Sequence, residues 1–354
     1  MVICLGATLH NRVAQRDHLA IDTTTVNKTF KDTQALGLLA NAFIIFLLAR
    51  YPAVRSVANV YVGNLAVADF GFCLYSLVQT PLSVLEEDPS MGTDNDSLSY
   101  QRGCDVGRVL AILFASASVF HLTAIAVERH HAVTAPLDHL QHRSVRRALV
   151  TCLVCWTAAI FTAALDTVIR NVITQTWDFT AQSLFECVYL KYIGSSTNGT
   201  NPLLFLAILI FVIAYVTPAC VMIPLYVRVF WEVQKSNRFA ARNDEQAVRM
   251  VVVVTVFFLV CWLPFHVTSV VIASSGYHGD EEALHACWAF GLVNSAANPF
   301  LYALLGRKFR GQIRQMFGNA APCRGTRKQR QSNVAHPDST SVDTTVSQSQ
   351  TTYL

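Results

Sequence analysis

Apolar residues gather in seven long runs along the chain, at 34–49, 58–80, 106–127, 148–169, 202–227, 248–274 and 283–305, with polar connectors between them. The runs lack the strict alternation of a half-buried strand and are apolar on most sides, which predicts helices that lie in lipid or against one another. Crossing a bilayer takes about 20 mostly apolar residues, and six of the runs are long enough. The expected fold is therefore all-α. A bundle of seven transmembrane helices, with a short surface helix after the seventh, occupies 34–318. An extracellular segment, 1–33, precedes it and a cytoplasmic tail, 319–354, follows.

The first run is the exception. It offers only sixteen positions, directly after Lys28, Lys31 and Asp32. Either a short helix thins the bilayer around it, or the beginning of the sequence is a misassigned gene model, which is the reading we favour. Residues 1–6 are apolar, but His10, Arg12, Arg16 and Asp17 follow too soon for a signal peptide.

Composition agrees with the pattern. The chain is 53% hydrophobic and 14% charged, against about 25% charged in soluble domains. Its net charge of +4 is too small to point to nucleic acid. The distribution of charge is more informative. Arg50 and Arg55, Arg143, Arg146 and Arg147, Lys235, Arg238 and Arg242, and Arg307, Lys308, Arg310 and Arg314 follow the odd-numbered runs. Glu86, Glu87, Asp88, Asp94 and Asp96, and Asp280, Glu281 and Glu282, follow even-numbered ones. The excess of cations marks the cytoplasmic side, so the N-terminus is expected outside, as in a multi-pass plasma-membrane protein. Glycosylation sequons at Asn27, Asn95 and Asn198 all fall on that outer side.

Ten cysteines do not make a disulfide scaffold here, because most lie in or beside apolar runs. Cys152 and Cys155 have redox or zinc spacing, but with no second pair and no nearby histidine they are expected to pack.

Several polar residues stand where hydrocarbon should be, and such groups are functional hypotheses by default. Asp69 lies in the second run with no cationic partner in the neighbouring runs. Asn41, Ser118, Asn294, Ser295 and Asn298 are positioned to surround it. A carboxylate ringed by neutral oxygens suits sodium or a proton; a protonated, hydrogen-bonded acid is the alternative. In the sixth run Phe258, Trp262 and Pro264 place an indole beside a helix-kinking proline, and Pro218 and Pro299 put similar weak points in runs five and seven.

Taken together, Ala40-Asn41, Leu65-Ala-Val-Ala-Asp69, Cys104, Glu128-Arg129-His130, Trp156, Pro218 with Tyr226, Cys261-Trp-Leu-Pro264 and Asn298-Pro-Phe-Leu-Tyr302 resemble, in order, the rhodopsin-like G-protein-coupled receptor family over residues 36–317. The sixth and seventh runs are most similar to its somatostatin, allatostatin, opioid and galanin peptide-receptor branch. The resemblance implies a Cys104–Cys187 disulfide over the pocket mouth. It also implies a two-state switch in which Glu128 and Arg129 hold the resting state and Phe258, Trp262, Pro264, Asn298 and Pro299 relay movement. Tyr226 and Tyr302 would then swing toward Arg129. His130 replaces the more usual tyrosine. Asp244, about twenty residues before Pro264, is either a second acid for Arg129 or a solvated loop acid.

Within that family two branches are disfavoured. No lysine stands in 283–305 for an opsin Schiff base, and Ala111 occupies the place of the amine-receptor aspartate. A ligand pocket is expected around Gln79, Arg108, Ala111, Trp262, Phe265 and His266. The acidic outer connectors favour a basic peptide, whereas Arg108 and Arg170 would suit a carboxylate. Inside, Phe309, Ile313, Met316 and Phe317 give a surface helix whose basic face meets anionic lipid. Cys323 after it is a palmitoylation candidate or a free thiol. The Ser/Thr-rich tail would be disordered, phosphorylated by receptor kinases and read by arrestin, and Thr352-Tyr353-Leu354 would fit a PDZ domain. A heterotrimeric G protein, of the inhibitory class by resemblance, would be the inner partner. A transporter would show internal repeats and an enzyme a nucleophile–base or metal set; we find neither, and expect no cofactor beyond the sodium ion. A non-signalling decoy is disfavoured by the intact Arg129, Tyr226 and Tyr302.

Overall fold

A computed structural model describes residues 23–84, 94–142, 144–176, 202–235, 241–275, 281–305 and 307–318. All regular elements among them are helical. The seven spans lie within helices Thr23–Arg50, Val57–Val84, Asp94–Thr134, Val145–Thr176, Pro202–Lys235, Glu281–Leu305 and, sixth in order, Ala241–Ser275. Six are long and apolar enough to cross a membrane by length and composition; the seventh, Glu281–Leu305, holds much of the polar chemistry described below. Large apolar side chains such as Leu39, Leu153, Phe161, Phe205 and Trp231 point outward and are more than half exposed. In water so much outward apolar surface would drive association; in a bilayer it is the natural contact with lipid.

The first span corrects the expectation of a short helix. Its helix starts at Thr23, eleven residues before the apolar run, and supplies a 23-residue span from Lys28 to Arg50. Lys28 and Asp32 are exposed at the N-terminal end of that span, where long polar side chains can reach the headgroups while the backbone stays helical. A span of this length needs no thinned bilayer.

Helix ends are closed by side chains, as a medium without water demands. Arg55 donates from Nε to the Leu48 carbonyl at 2.9 Å and from its guanidinium to that of Ala49, satisfying the last carbonyls of the first span. A single 3₁₀ turn, Pro52–Val54, then leads into the second. In the fifth span Pro218 cannot donate an amide to the residue four before it. The helix accommodates this with a π-helical turn over Val212–Val216 immediately ahead of the proline. The surface helix Arg307–Gly318 buries Phe309 and packs Ile313 and Met316 against the core, as its pattern anticipated.

Lipid tails are as apolar as leucine, so association of the helices rests on close packing and interhelical hydrogen bonds. Spans one, two and seven meet at Gly37, where an added Cβ would lie 2.8 Å from Ala296 Cβ and 2.9 Å from Cys73 Sγ. Gly37→Val is therefore expected to overpack the contact by about 1–3 kcal/mol and to lower the thermal midpoint in detergent. Gly311→Ala, which faces open space, is the matched control and should leave the midpoint unchanged.

Candidate functional site

The polar residues singled out above converge at the centre of the bundle. Asp69 is fully buried. Its Oδ1 accepts a hydrogen bond from Ser118 Oγ of the third span at 2.8 Å, and its Oδ2 one from Asn298 Nδ2 of the seventh at 2.8 Å. Ser295 is buried close to the same carboxylate. Beside it Asn41 Nδ2 donates to the carbonyls of Gly37 at 2.9 Å and Ser295 at 3.0 Å. One carboxylate thus joins spans two, three and seven, and Asn41 ties in span one.

The donor set fits a small hard cation. Asp69 and Ser118 offer oxygens, and the buried Oδ1 atoms of Asn294 and Asn298 have no hydrogen-bond partner among the described residues. No grouping of three or more His, Cys, Asp or Glu side chains occurs among the described residues, so a transition-metal centre has no comparable support.

On one side of Asp69 lies a cluster of rings. Trp262 meets Phe72 at 6.0 Å, Trp288 at 5.8 Å and Phe265 at 5.7 Å between ring centroids. Phe265 continues to Trp288 at 5.1 Å and to His266 at 5.3 Å. His266 in turn stacks on Phe211 at 5.5 Å and meets Tyr215 at 5.4 Å. Aromatic pairs at these separations contribute beyond their buried area. Trp262 is held from span seven by Gly291, where a Cβ would stand 3.0 Å from the indole. The expected pocket residues Trp262, Phe265 and His266 are thus brought together, and Phe72, Phe211, Tyr215 and Trp288 join them.

Arg108 and Ala111 are buried on the third span. Arg108 forms an ion pair with the fully buried Asp166 of span four at 2.7 Å, and Arg170 reaches the same carboxylate at 3.1 Å. Asp166 was not singled out from sequence. Its signal was available: it is an acid within an apolar run, and Arg170 stands one turn later.

On the other side of Asp69, Tyr226 is buried within electrostatic reach of Arg129 and of Tyr302. Thr255 of span six donates to the Tyr226 hydroxyl at 3.3 Å. Of the two tyrosines expected to move toward Arg129, Tyr226 is already within its electrostatic reach. Glu128 is not simply an arginine partner: His139, in a short helix Pro136–His142 after span three, lies 3.6 Å from its carboxylate. These two line a cavity of about 430 Å³ between spans two, three and four. Trp156 Nε1 donates to Asn64 Oδ1 at 3.1 Å and links spans four and two.

The side chains of Gln79, Cys104, Asp244, Asn27 and Asn95, and all of Cys187, Asn198, Cys323 and the tail with Thr352, Tyr353 and Leu354, lie outside what the structure describes.

A family model described as "7 transmembrane receptor (rhodopsin family)" matches residues 40–302. Among similar proteins is an allatostatin-A receptor of Bombyx mori, 28% identical over 79% of this chain and 76% of that protein. A pyroglutamylated RF-amide peptide receptor of Rattus norvegicus is 25% identical over 78% of this chain and 66% of its own length. Chemerin-like receptor 1 of Homo sapiens is 26% identical over 78% and 73%.

Removing one partner of a buried ion pair costs about 3–5 kcal/mol, whereas removing both is far milder. Asp166→Ala, which removes the carboxylate facing the buried Arg108, should therefore lower the thermal midpoint more than the Arg108→Ala/Asp166→Ala double variant does. A double-mutant cycle on thermal unfolding reads the coupling.

Proposed function

The chain belongs to the rhodopsin family of seven-transmembrane receptors, and from that premise we propose that it is a cell-surface receptor for a neuropeptide that activates a heterotrimeric G protein. It is a multi-pass membrane protein that transmits a signal and transforms no substrate. The observation that carries the proposal is the path of core residues from Phe72, Trp262 and Phe265 of the ring cluster to Tyr226 and Tyr302, braced by the Asp69 hydrogen bonds across spans two, three and seven. Such a path gives two sites and a bistable core between them, the condition for reciprocal coupling of ligand and G protein. Two of the relatives are named as receptors for peptides, which supports the ligand class.

Within that class a basic peptide fits best, because Glu86, Glu87, Asp88, Asp280, Glu281 and Glu282 lie in outer connectors and would steer it inward. A second reading, a ligand with a carboxylate, draws on Arg108 and Arg170 both gathering on Asp166. Sodium would be held by Asp69 with Ser118, Ser295, Asn294 and Asn298, where its charge would offset the buried carboxylate. The inhibitory G-protein class, the Cys104–Cys187 bond, glycosylation at the three sequons, palmitoylation of Cys323 and tail binding by receptor kinases, arrestin and a PDZ domain complete the proposal.

Two experiments test it. Cells expressing the chain are challenged with a library of basic neuropeptides beside an Arg129→Ala control. A G-protein response lost in the control is expected; silence despite surface expression would shift weight to the carboxylate-bearing ligand. Separately, raising sodium at constant ionic strength should raise the thermal midpoint of the wild type but not of Asp69→Asn. Equal behaviour of the two would remove the sodium site.

A further inference from the structure

The sixth span contains one backbone defect that its own helix cannot repair. Pro264 has no amide hydrogen, so the carbonyl four residues earlier, Val260, loses its helical partner, and the turn around it is weakened. One residue before, the Leu259 carbonyl receives a hydrogen bond from outside its helix: Tyr215 Oη donates to it at 2.8 Å. Tyr215 sits inside the π-helical turn Val212–Val216 of span five. A tyrosine hydroxyl buried in a membrane bundle needs an acceptor, and this one finds it at the edge of the neighbouring kink.

The ring of Tyr215 touches both ends of the signalling path. It lies 5.4 Å from His266 and stacks 5.6 Å from Phe211 in the outer cluster. It also stacks 5.9 Å from Phe258, half a turn inward of the kink. Further inward a second hydroxyl contact, Thr255 to Tyr226 at 3.3 Å, joins the same two spans. Spans five and six are thus tied on both sides of Phe258. The inner tie is at Tyr226, which lies within electrostatic reach of Arg129 and of Tyr302.

We propose that Tyr215 is a positioning residue of the switch: its hydroxyl grips the backbone of span six beside Pro264 and holds that span in the arrangement where Thr255 bonds Tyr226 within reach of Arg129. A ligand that moves His266 or Phe211 therefore moves the kink through a hydrogen bond to main chain, in addition to packing against Trp262. The proposal rests on the receptor reading, but its test needs neither ligand nor G protein, so the two can fail separately.

Spin labels are placed at Arg146→Cys and Arg249→Cys, exposed near the cytoplasmic ends of spans four and six, in a Cys220→Ser background. Their distance distribution is measured in lipid nanodiscs. Tyr215→Phe keeps the ring and removes the donor. A hydrogen bond of the strength measured between transmembrane helices shifts a two-state ratio about two- to threefold, so Tyr215→Phe should depopulate the present arrangement by that factor. Incorporating 3-fluorotyrosine at 215, a stronger hydroxyl donor of nearly the same shape, should populate it further. A structural packing role would leave both distributions alike. An unchanged distribution in Tyr215→Phe, or shifts in the same direction for both variants, overturns the proposal.

Discussion

A carboxylate in the middle of a membrane must be satisfied by the protein, and that constraint organises this molecule. Asp69 has no water-filled exterior to turn to, and a charge at that depth costs at least about 2.5–3.5 kcal/mol. Its two oxygens are bonded to Ser118 and Asn298 at 2.8 Å each. The partners come from different spans, so the helices cannot slide independently without stripping a buried acceptor of its donors. Around this fixed point the small contacts follow: Gly37 admits Ala296 and Cys73, and Asn41 bridges to the Ser295 carbonyl.

The same point separates two regions of different chemistry. Outward, rings of spans two, five, six and seven contact one another and Trp262 stands nearest the proline kink. Inward, the chemistry is hydroxyls and charge, with Tyr226, Tyr302, Thr255 and Arg129. Packing transmits displacement only where few arrangements are allowed, and the kinks at Pro264 and the π-helical turn before Pro218 supply the places where an otherwise stiff helix can bend. A receptor needs both properties. Uniformly stiff helices would not respond, and uniformly loose ones would not transmit.

Much of this was legible in the residues. Asp69, Ser118, Asn294, Ser295 and Asn298 were identifiable because polar atoms in an apolar run have few reasons to be there; the structure brings Ser118, Ser295 and Asn298 to Asp69 and buries Asn294. Trp262 and Pro264 announced themselves by residue type. Tyr215, Phe72 and Trp288 did not, since an aromatic residue in a hydrophobic run carries no mark of which face it occupies. Asp166 was overlooked although it is an acid in hydrocarbon, because its partner Arg108 is distant in sequence and only the packing of spans three and four reveals the pair. The length of the first helix was misjudged for a different reason: apolarity measures what lipid will accept, whereas helix geometry continues into the headgroup region where Lys28 and Asp32 are tolerated. Likewise Glu128 was assigned to Arg129 by motif, and the approach of His139 depends on a short helix whose position no local pattern specifies.

The central claim is that the Asp69 network couples the outer pocket to the inner face. The most direct measurement is equilibrium binding of an activating peptide to the receptor in nanodiscs, with and without nucleotide-free G protein, for the wild type and Asp69→Ala. The account predicts that G protein tightens peptide binding to the wild type, and that Asp69→Ala still binds peptide but loses the tightening. A tightening of equal size in Asp69→Ala would contradict it, and would place the coupling in the ring cluster and the span five–six contacts alone.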